Sequence, residues 1–321
     1  MKIPDYSDVL IASERIRNLI HCTPVLSSSS LNKILSCNLF FKCENFQKVG
    51  AFKFRGASNA VFSLNDSDAI KGVATHSSGN HAAALALAAS VRGIPSYVVM
   101  PENAPDIKKK AVKGYGAEIT FCEPTLEARE KTLKEIINEK GAIEIHPYNN
   151  FNVIAGQGTS AKEFLEEIND LDYVLCPVGG GGLLSGTSIS VKSVSPGTKV
   201  IACEPQGADD AFRSFYSNEI QPSINPKTIA DGLLTSLGTL TFSIIKRNVD
   251  SVVTVSEEGI LAAMKLIWER MKIIAEPSSA VPLAAILEEK VEVKSKKVGI
   301  IISGGNIDLD LYWRILHEKI N

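Results

Sequence analysis

Two stretches of this chain alternate short apolar segments with helical ones, and that rhythm constrains the fold more than any other feature. The first runs from Gly72 to Ile145. Strand-like segments at 72–76, 96–100, 117–122 and 143–145 are separated by helical patterns at 81–92, 104–113 and 126–140. The second begins near Gly158. It places helices at 159–168, 257–271 and 277–289, and strands at 173–178, 199–203, 251–255 and 297–302. Alternation of this kind predicts parallel sheets covered by helices on both faces. Tyr173–Val178 is apolar almost throughout, as a strand buried on both faces must be. The first helix is expected over 6–20, and a short strand over 39–44.

At 321 residues the chain can bury two cores. Its net charge of -2 points to no polyanionic partner, nucleic acid or acidic membrane surface. The first residues lack the apolar core of a secretion signal, and no apolar run reaches membrane-spanning length. The six cysteines, at 22, 37, 43, 122, 176 and 203, form no Cys-x-x-Cys pair. Reduced thiols and a cytoplasmic location are therefore expected.

Val49–Gly56 reads Val-Gly-Ala-Phe-Lys-Phe-Arg-Gly. Lys53 stands between two phenylalanines. Desolvation there would favour the neutral amine, which can condense with an aldehyde. A lysine snorkelling from an amphipathic helix fits the octet as well. Gly179–Gly182 follows a buried strand directly. Four glycines let successive N–H groups converge at a helix N-terminus, a cradle for phosphate. A strained glycine turn is the alternative. No Gly-Lys-Ser/Thr follows, so this is not a Walker loop. Ser77-Ser78-Gly79-Asn80-His81, at another strand-to-helix junction, suits a carboxylate or is an ordinary cap. Ser303-Gly304-Gly305-Asn306 ends a further strand. Glu204 and Asp210 are spaced either for a hard cation or as plain surface acids. Reactive lysine, phosphate cradle, carboxylate turn and strand-end serine together suit a cofactor with an aldehyde and a phosphate. Pyridoxal phosphate is such a cofactor.

The motifs Lys42–Lys48, Ala51–Gly56, Thr75–His81, Ala155–Thr159, Gly179–Gly182, Thr228–Gly232 and Ser303–Asn306 fall in order along nearly the whole chain. On these residues the sequence resembles the fold-type II pyridoxal-phosphate enzymes of the serine racemase and threonine/serine dehydratase group. The resemblance implies an α/β fold of two doubly wound sheet domains with the cofactor in the cleft between them. The large domain is expected to span 1–74 and 149–321, and a small mobile domain 75–148. It implies that Lys53 holds the cofactor as a Schiff base, with Phe52 beside it and Asn80 on the ring's phenolic oxygen. Gly179, Gly180, Gly181, Gly182 and the Leu183 N–H would hold the phosphate, and Ser303 would face the ring nitrogen. Ser77, Ser78, Asn80, His81 and Arg129 would meet an amino-acid substrate, with Ser78 as the second acid/base opposite Lys53. Glu204, the Ala208 carbonyl and Asp210 would bind Mg²⁺ or Mn²⁺.

ATP as an activator would use Ser28, Ser29, Ser30, Lys48, Tyr115 and Asn306. Val49 and Leu10 depart from the animal pattern there, replacing a threonine and a glutamate. Tyr148 replaces an asparagine beside the cofactor. The run after Ser303 is too short for the regulatory domain of biosynthetic threonine dehydratases, so feedback inhibition by isoleucine is not expected. The activity implied is racemisation of serine and β-elimination of serine or related β-hydroxy amino acids, in a homodimer. A threonine or 3-hydroxyaspartate dehydratase with little racemisation is the alternative. A β-replacement synthase and a catalytically silent binding protein are the remaining rivals.

Overall fold

The computed structural model describes residues 2–77, 79–104, 106–308, 310 and 313. Among them lie ten strands: β1 (Val25–Leu26), β2 (Asn38–Cys43), β3 (Val73–His76), β4 (Ser96–Pro101), β5 (Glu118–Cys122), β6 (Ile143–Glu144), β7 (Tyr173–Pro177), β8 (Lys199–Pro205), β9 (Ser251–Val255) and β10 (Lys297–Ile302). They form a six-stranded sheet, β1-β2-β10-β7-β8-β9, and a four-stranded one, β5-β4-β3-β6. Every pairing is parallel except the two-residue edge β1, which runs antiparallel to β2. In chain order the whole four-stranded sheet falls between β2 and β7. Val174, Leu175 and Cys176 of β7 are fully buried, as the apolar run predicted.

The helices differ from the sequence reading in instructive places. The first ends at Ile16, four residues early. The helix expected from Thr159 begins at Phe151 and runs to Glu167. Gly156 and Gly158 look like breakers in sequence but are interior positions of this helix. They are there for close approach. A Cβ on Gly156 would lie 2.7 Å from the Arg55 carbonyl oxygen and from Gly56 Cα. A Cβ on Gly186 would run into the Gly158 backbone nitrogen and reach within 2.6 Å of the Ile154 oxygen. The helices Lys53–Phe62, Phe151–Glu167 and Gly182–Val194 thus pack backbone to backbone. Helix Thr239–Asn248 was not foreseen; Thr241 closes its N-terminus by hydrogen bonding around Gly238.

A buried ion-pair network fixes the start of the Lys53 helix. Arg55 is fully buried and donates from Nε and Nη2 to both Glu44 oxygens, at 2.7 and 2.9 Å. Its Nη1 and Nη2 donate to Glu163 at 2.7 and 2.8 Å. Lys42 Nζ donates to Glu163 and to the Thr23 carbonyl, each at 2.7 Å. Two cations and two anions balance, and the Arg55 fork is bidentate on each carboxylate. The network joins β2 and the turn after it to two of the close-packed helices.

Removing one partner of such a set leaves a buried uncompensated charge. Arg55→Met is expected to cost about 3–5 kcal/mol of stability. Urea unfolding followed by circular dichroism measures this, and a loss under ~1 kcal/mol would show the network to be dispensable.

Candidate active site

Lys53 opens its helix at a point held from several sides. The Phe52 N–H donates to the Ser303 carbonyl at 2.9 Å, and Ala51 bridges Gly304. Just upstream, Val49 has φ of 58°, a left-handed backbone that a β-branched residue rarely adopts. Asn306 Nδ2 donates to the Val49 carbonyl at 2.7 Å, and Gly305 N–H to the Gly50 carbonyl at 2.9 Å. The glycine loop after β10 therefore clamps the lysine segment in a strained geometry, as strained segments require.

The Lys53 amine donates to the Pro147 carbonyl at 3.0 Å and lies 5.1 Å from the centre of the Phe52 ring. Phe54 on the other side is buried. Burial pulls the Lys53 pKa down to about 8, with the charge of Glu276 opposing that shift. The amine is thus readily deprotonated, which the sequence could suggest only from the flanking aromatics.

Lys53 opens onto a cleft of about 640 Å³ that is also lined by Gly179–Gly182, Leu183, Ser77, Asn80, His81, Arg129, Tyr148 and Ser303. Gly181, with φ of 86°, is the N-cap of the 13-residue helix Gly182–Val194 and supplies no side-chain cap. The first N–H groups of that helix are therefore free for an anion. Side chains on the loop would obstruct it. A Cβ on Gly180 would run into the Tyr148 ring, and one on Gly179 would lie 2.9 Å from Leu233 Cα. Tyr148 is seated by His146, whose Nδ1 accepts the Tyr148 and Asn149 N–H groups at 3.3 and 3.0 Å. The two rings meet edge-on at 4.6 Å.

Ser303 is 3% exposed, and its hydroxyl lies 3.0 Å from that of Ser279. On the facing side, Ser77 Oγ accepts the Gly79 N–H at 3.4 Å. Ser78 lies outside the described residues. The His81 ring is buried: its Nε2 pairs with the Ile145 carbonyl at 2.9 Å, its Nδ1 has no partner among the described residues, and burial lowers its pKa to about 3. Its backbone N–H lies in the first turn of the helix Asn80–Arg92, where no intrahelical acceptor is available. Arg129 donates from Nε to the Thr125 carbonyl at 3.3 Å and makes no ion pair among the described residues.

Glu276 is the residue that sequence reading missed. It is 4% exposed, lines the same cleft, and its two oxygens accept from Asn80 Nδ2 at 3.2 and 3.1 Å. Burial raises its pKa to about 7. No motif flags it, because its partner is 196 residues away.

Elsewhere, Glu204 at the end of β8 is fully buried and accepts the Ala211 and Phe212 N–H groups at 2.9 and 2.8 Å. Asp210 is also fully buried, and neither of its carboxylate oxygens has a hydrogen-bond partner. Burial pushes Glu204 up to about 9 and Asp210 up to about 6. These are not surface acids. Two buried carboxyls without a cation suit a divalent ion, and Ala208 lies buried in the turn between them. Among the described residues no cluster of three or more His, Cys, Asp or Glu side chains could hold a metal, so backbone oxygen and water would complete the shell.

Of the six candidate nucleotide residues, Ser28, Ser30, Lys48 and Asn306 make side-chain contacts within the chain. Ser28 caps the helix Ser29–Leu35 and its hydroxyl lies 3.1 Å from that of Ser30. Lys48 Nζ lies 5.7 Å from the Phe54 ring centre, and Asn306 bonds Val49 and Asn80.

The family model for pyridoxal-phosphate dependent enzymes matches residues 16–304. A serine racemase of Dictyostelium discoideum is 55% identical over 97% of both chains. A beta-hydroxyaspartate dehydratase of Paracoccus denitrificans is 53% identical, covering 97% of this chain and 98% of its own. The structure of maize serine racemase, 44% identical, superposes with a TM-score of 0.95 over 99% of this chain and 98% of that one. A nucleophilic lysine and a glycine cradle facing one cleft have the same explanation as these likenesses: the chain belongs to the family of pyridoxal-phosphate dependent enzymes.

Proposed function

We propose that this enzyme racemises serine and dehydrates serine or a related β-hydroxy amino acid to a keto acid and ammonia. The observation that carries the reading is the Lys53 amine, with its lowered pKa, opening onto the same cleft as the uncapped helix N-terminus at Gly181–Gly182. The residues present fit the cofactor. Lys53 would hold its aldehyde, the Gly179–Leu183 backbone its phosphate, and Ser303 and Asn80 the ring. When bound, pyridoxal phosphate supplies a ring that takes up the electron pair left by the departing α-proton.

The chain's own groups do the rest. With its amine free, Lys53 would accept the substrate's α-proton at Nζ. A base poised near 8 is matched to that task at physiological pH. Ser77 and the Asn80 and His81 N–H groups hold the substrate carboxylate at the start of the helix Asn80–Arg92. Ser78 returns a proton on the opposite face, which yields the other enantiomer. When a β-hydroxyl departs instead, elimination follows, and hydrolysis gives the keto acid and ammonia. Ser77–His81 belong to a small domain, 75–148, that closes on the large one and excludes water.

A second reading is dehydration of 3-hydroxyaspartate. It is favoured by Arg129, which reaches the cleft with no acidic partner among the described residues. Its guanidinium would take the second carboxylate. Glu204, Asp210 and the Ala208 carbonyl would hold Mg²⁺ or Mn²⁺, a structural charge outside the cleft. ATP as an activator at Ser28, Ser29, Ser30, Lys48, Tyr115 and Asn306, a homodimer, and a cytoplasmic location complete the proposal.

Capture of pyridoxal phosphate by apo-protein is expected to quicken as pH rises through about 8, where neutral Lys53 becomes abundant. Lys53→Ala should lack both the visible band and turnover; full activity in that variant would overturn the reading. A chelator is expected to lower the melting temperature by a few degrees, and Mg²⁺ to restore it, because only the folded chain has the site. An unchanged melting curve would remove the metal from the proposal. Ser78→Ala should keep the cofactor and eliminate water from one serine enantiomer, while interconversion falls by about a hundredfold or more. Separate incubations with L- and D-serine, measuring keto acid and opposite enantiomer, decide this. Racemisation at the wild-type rate would assign the second acid/base elsewhere.

A further inference from the structure

Glu276 closes a hydrogen-bonded chain across the cleft. Asn80 Nδ2 donates to both of its oxygens, at 3.2 and 3.1 Å. The other end of the Asn80 amide is also fixed, since Oδ1 accepts from Asn306 Nδ2 at 2.9 Å. Asn306 Nδ2 in turn reaches the Val49 carbonyl at 2.7 Å. Asn80 opens the helix that follows β3 of the four-stranded sheet. Glu276 and Asn306 follow elements of the other side of the cleft, one as N-cap of Pro277–Leu287 and one after β10. The backbone around Glu276 is built tightly: its N–H donates to the Gly304 carbonyl at 3.0 Å, and a Cβ on Gly304 would lie 2.8 Å from Glu276 Oε1. A nearly fully buried acid would not be kept for solubility. Burying a carboxyl costs free energy that its bonds to Asn80 only partly offset.

We propose that Glu276 is a positioning residue for the cofactor: it locks the Asn80 amide in one orientation, with one N–H on Glu276 and the second left to the ring's phenolic oxygen. This rests on the reading of Asn80 given above. An amide free to flip would present its oxygen to that oxygen half the time, a repulsive contact. Glu276 and Asn306 oppose the flip, because ionised Glu276 only accepts hydrogen bonds and the Asn306 amide, oriented by its bond to the Val49 carbonyl, turns its NH₂ to the Asn80 oxygen. The same lock fixes the substrate-binding turn relative to Lys53, since the Val49 end of the chain lies four residues before it. Charged groups acting on Glu276 are Lys53 and Lys108, which favour its ionised form, and Asp231, which opposes it. Lys108 and Asp231 pair with each other at 2.6 Å, so their effects on Glu276 largely cancel.

The test is cofactor affinity of the full chain, read from the visible band during titration with pyridoxal phosphate. Glu276→Ala and Asn80→Ala are each expected to weaken binding about tenfold, the size of one charge-assisted hydrogen bond. The double variant should be no weaker than Asn80→Ala alone, because both substitutions break one unit. Glu276→Gln keeps an acceptor oxygen and should bind within about threefold of wild type, with its band titrating at lower pH for want of the carboxylate charge. Glu276→Asp, too short to reach Asn80, should behave like Glu276→Ala and replaces it if the alanine variant does not fold. Wild-type affinity in Glu276→Ala or Glu276→Asp, or losses that multiply in the double variant, would overturn the proposal. If instead Asn80→Ala binds the cofactor normally, the reading of Asn80 itself falls, and this proposal with it.

Discussion

The Arg55 guanidinium is the constraint on which the site depends. Two residues after the reactive lysine, it is buried with Glu44 and also grips Glu163, whose side chain is partly exposed. Such a set gains little net stability over apolar packing, because desolvation offsets much of the attraction. Its value here is geometric. A bidentate fork tolerates little displacement, so the first turn of the Lys53 helix is fixed against β2 and the helix Phe151–Glu167. Apolar side chains could fill the same space but would not set the rotation of that helix about its axis. That rotation decides whether Lys53 points into the cleft.

Close approach of backbones completes what the ion pairs begin. Gly56 against Gly156, and Gly158 against Gly186, bring three helices together at backbone contact, and the Gln157 side chain accepts the Gly56 N–H across the first of these contacts. The third of these helices starts at the tetraglycine loop. Lysine and phosphate cradle are therefore two ends of one rigid unit. Along the other edge, the Ser303–Asn306 loop bonds Phe52, Gly50 and Val49 directly, so strain at Val49 is held by the segment that also carries Ser303.

Much of this was legible in the sequence wherever the signal was local. Alternating periodicity gave both sheets, because burial on both faces leaves a continuous apolar run such as Val174–Cys176. Four glycines after that run pointed to a backbone-only turn, and Gly181, with its left-handed φ, does start a helix without a side-chain cap. The failures share one cause. The helix expected from 159 starts at Phe151, and the packing that calls for Gly156 and Gly158 inside it involves helices far away in sequence. Glu276 carried no signal because its chemistry is its burial beside Asn80. Glu204 and Asp210 looked like possible surface acids, and only their complete burial decides otherwise. Lys53 lies between these cases. Flanking phenylalanines hinted at desolvation, but the Pro147 carbonyl that its amine meets is 94 residues away.

The polarity of the cleft also bears on the reaction. Its glycine loop offers N–H groups rather than a cation, so an anion there would be held by a dipole that cannot move or titrate. Its two acids, Asp231 and Glu276, are both occupied, one by Lys108 and one by Asn80. Ser303, the group proposed for the ring nitrogen, is bonded to another hydroxyl rather than to an acid. With Ser303 there, no carboxylate would be free to hold a proton on that nitrogen, and the ring would withdraw electrons only mildly. A mild sink would favour chemistry at or next to the α-carbon, either loss of a neighbouring hydroxyl or return of a proton to the same carbon. Transfer of the proton to a distant carbon, as transamination needs, is disfavoured. Racemisation and elimination are the two outcomes left, and which prevails depends on whether the leaving group or a proton donor on the far face is better placed.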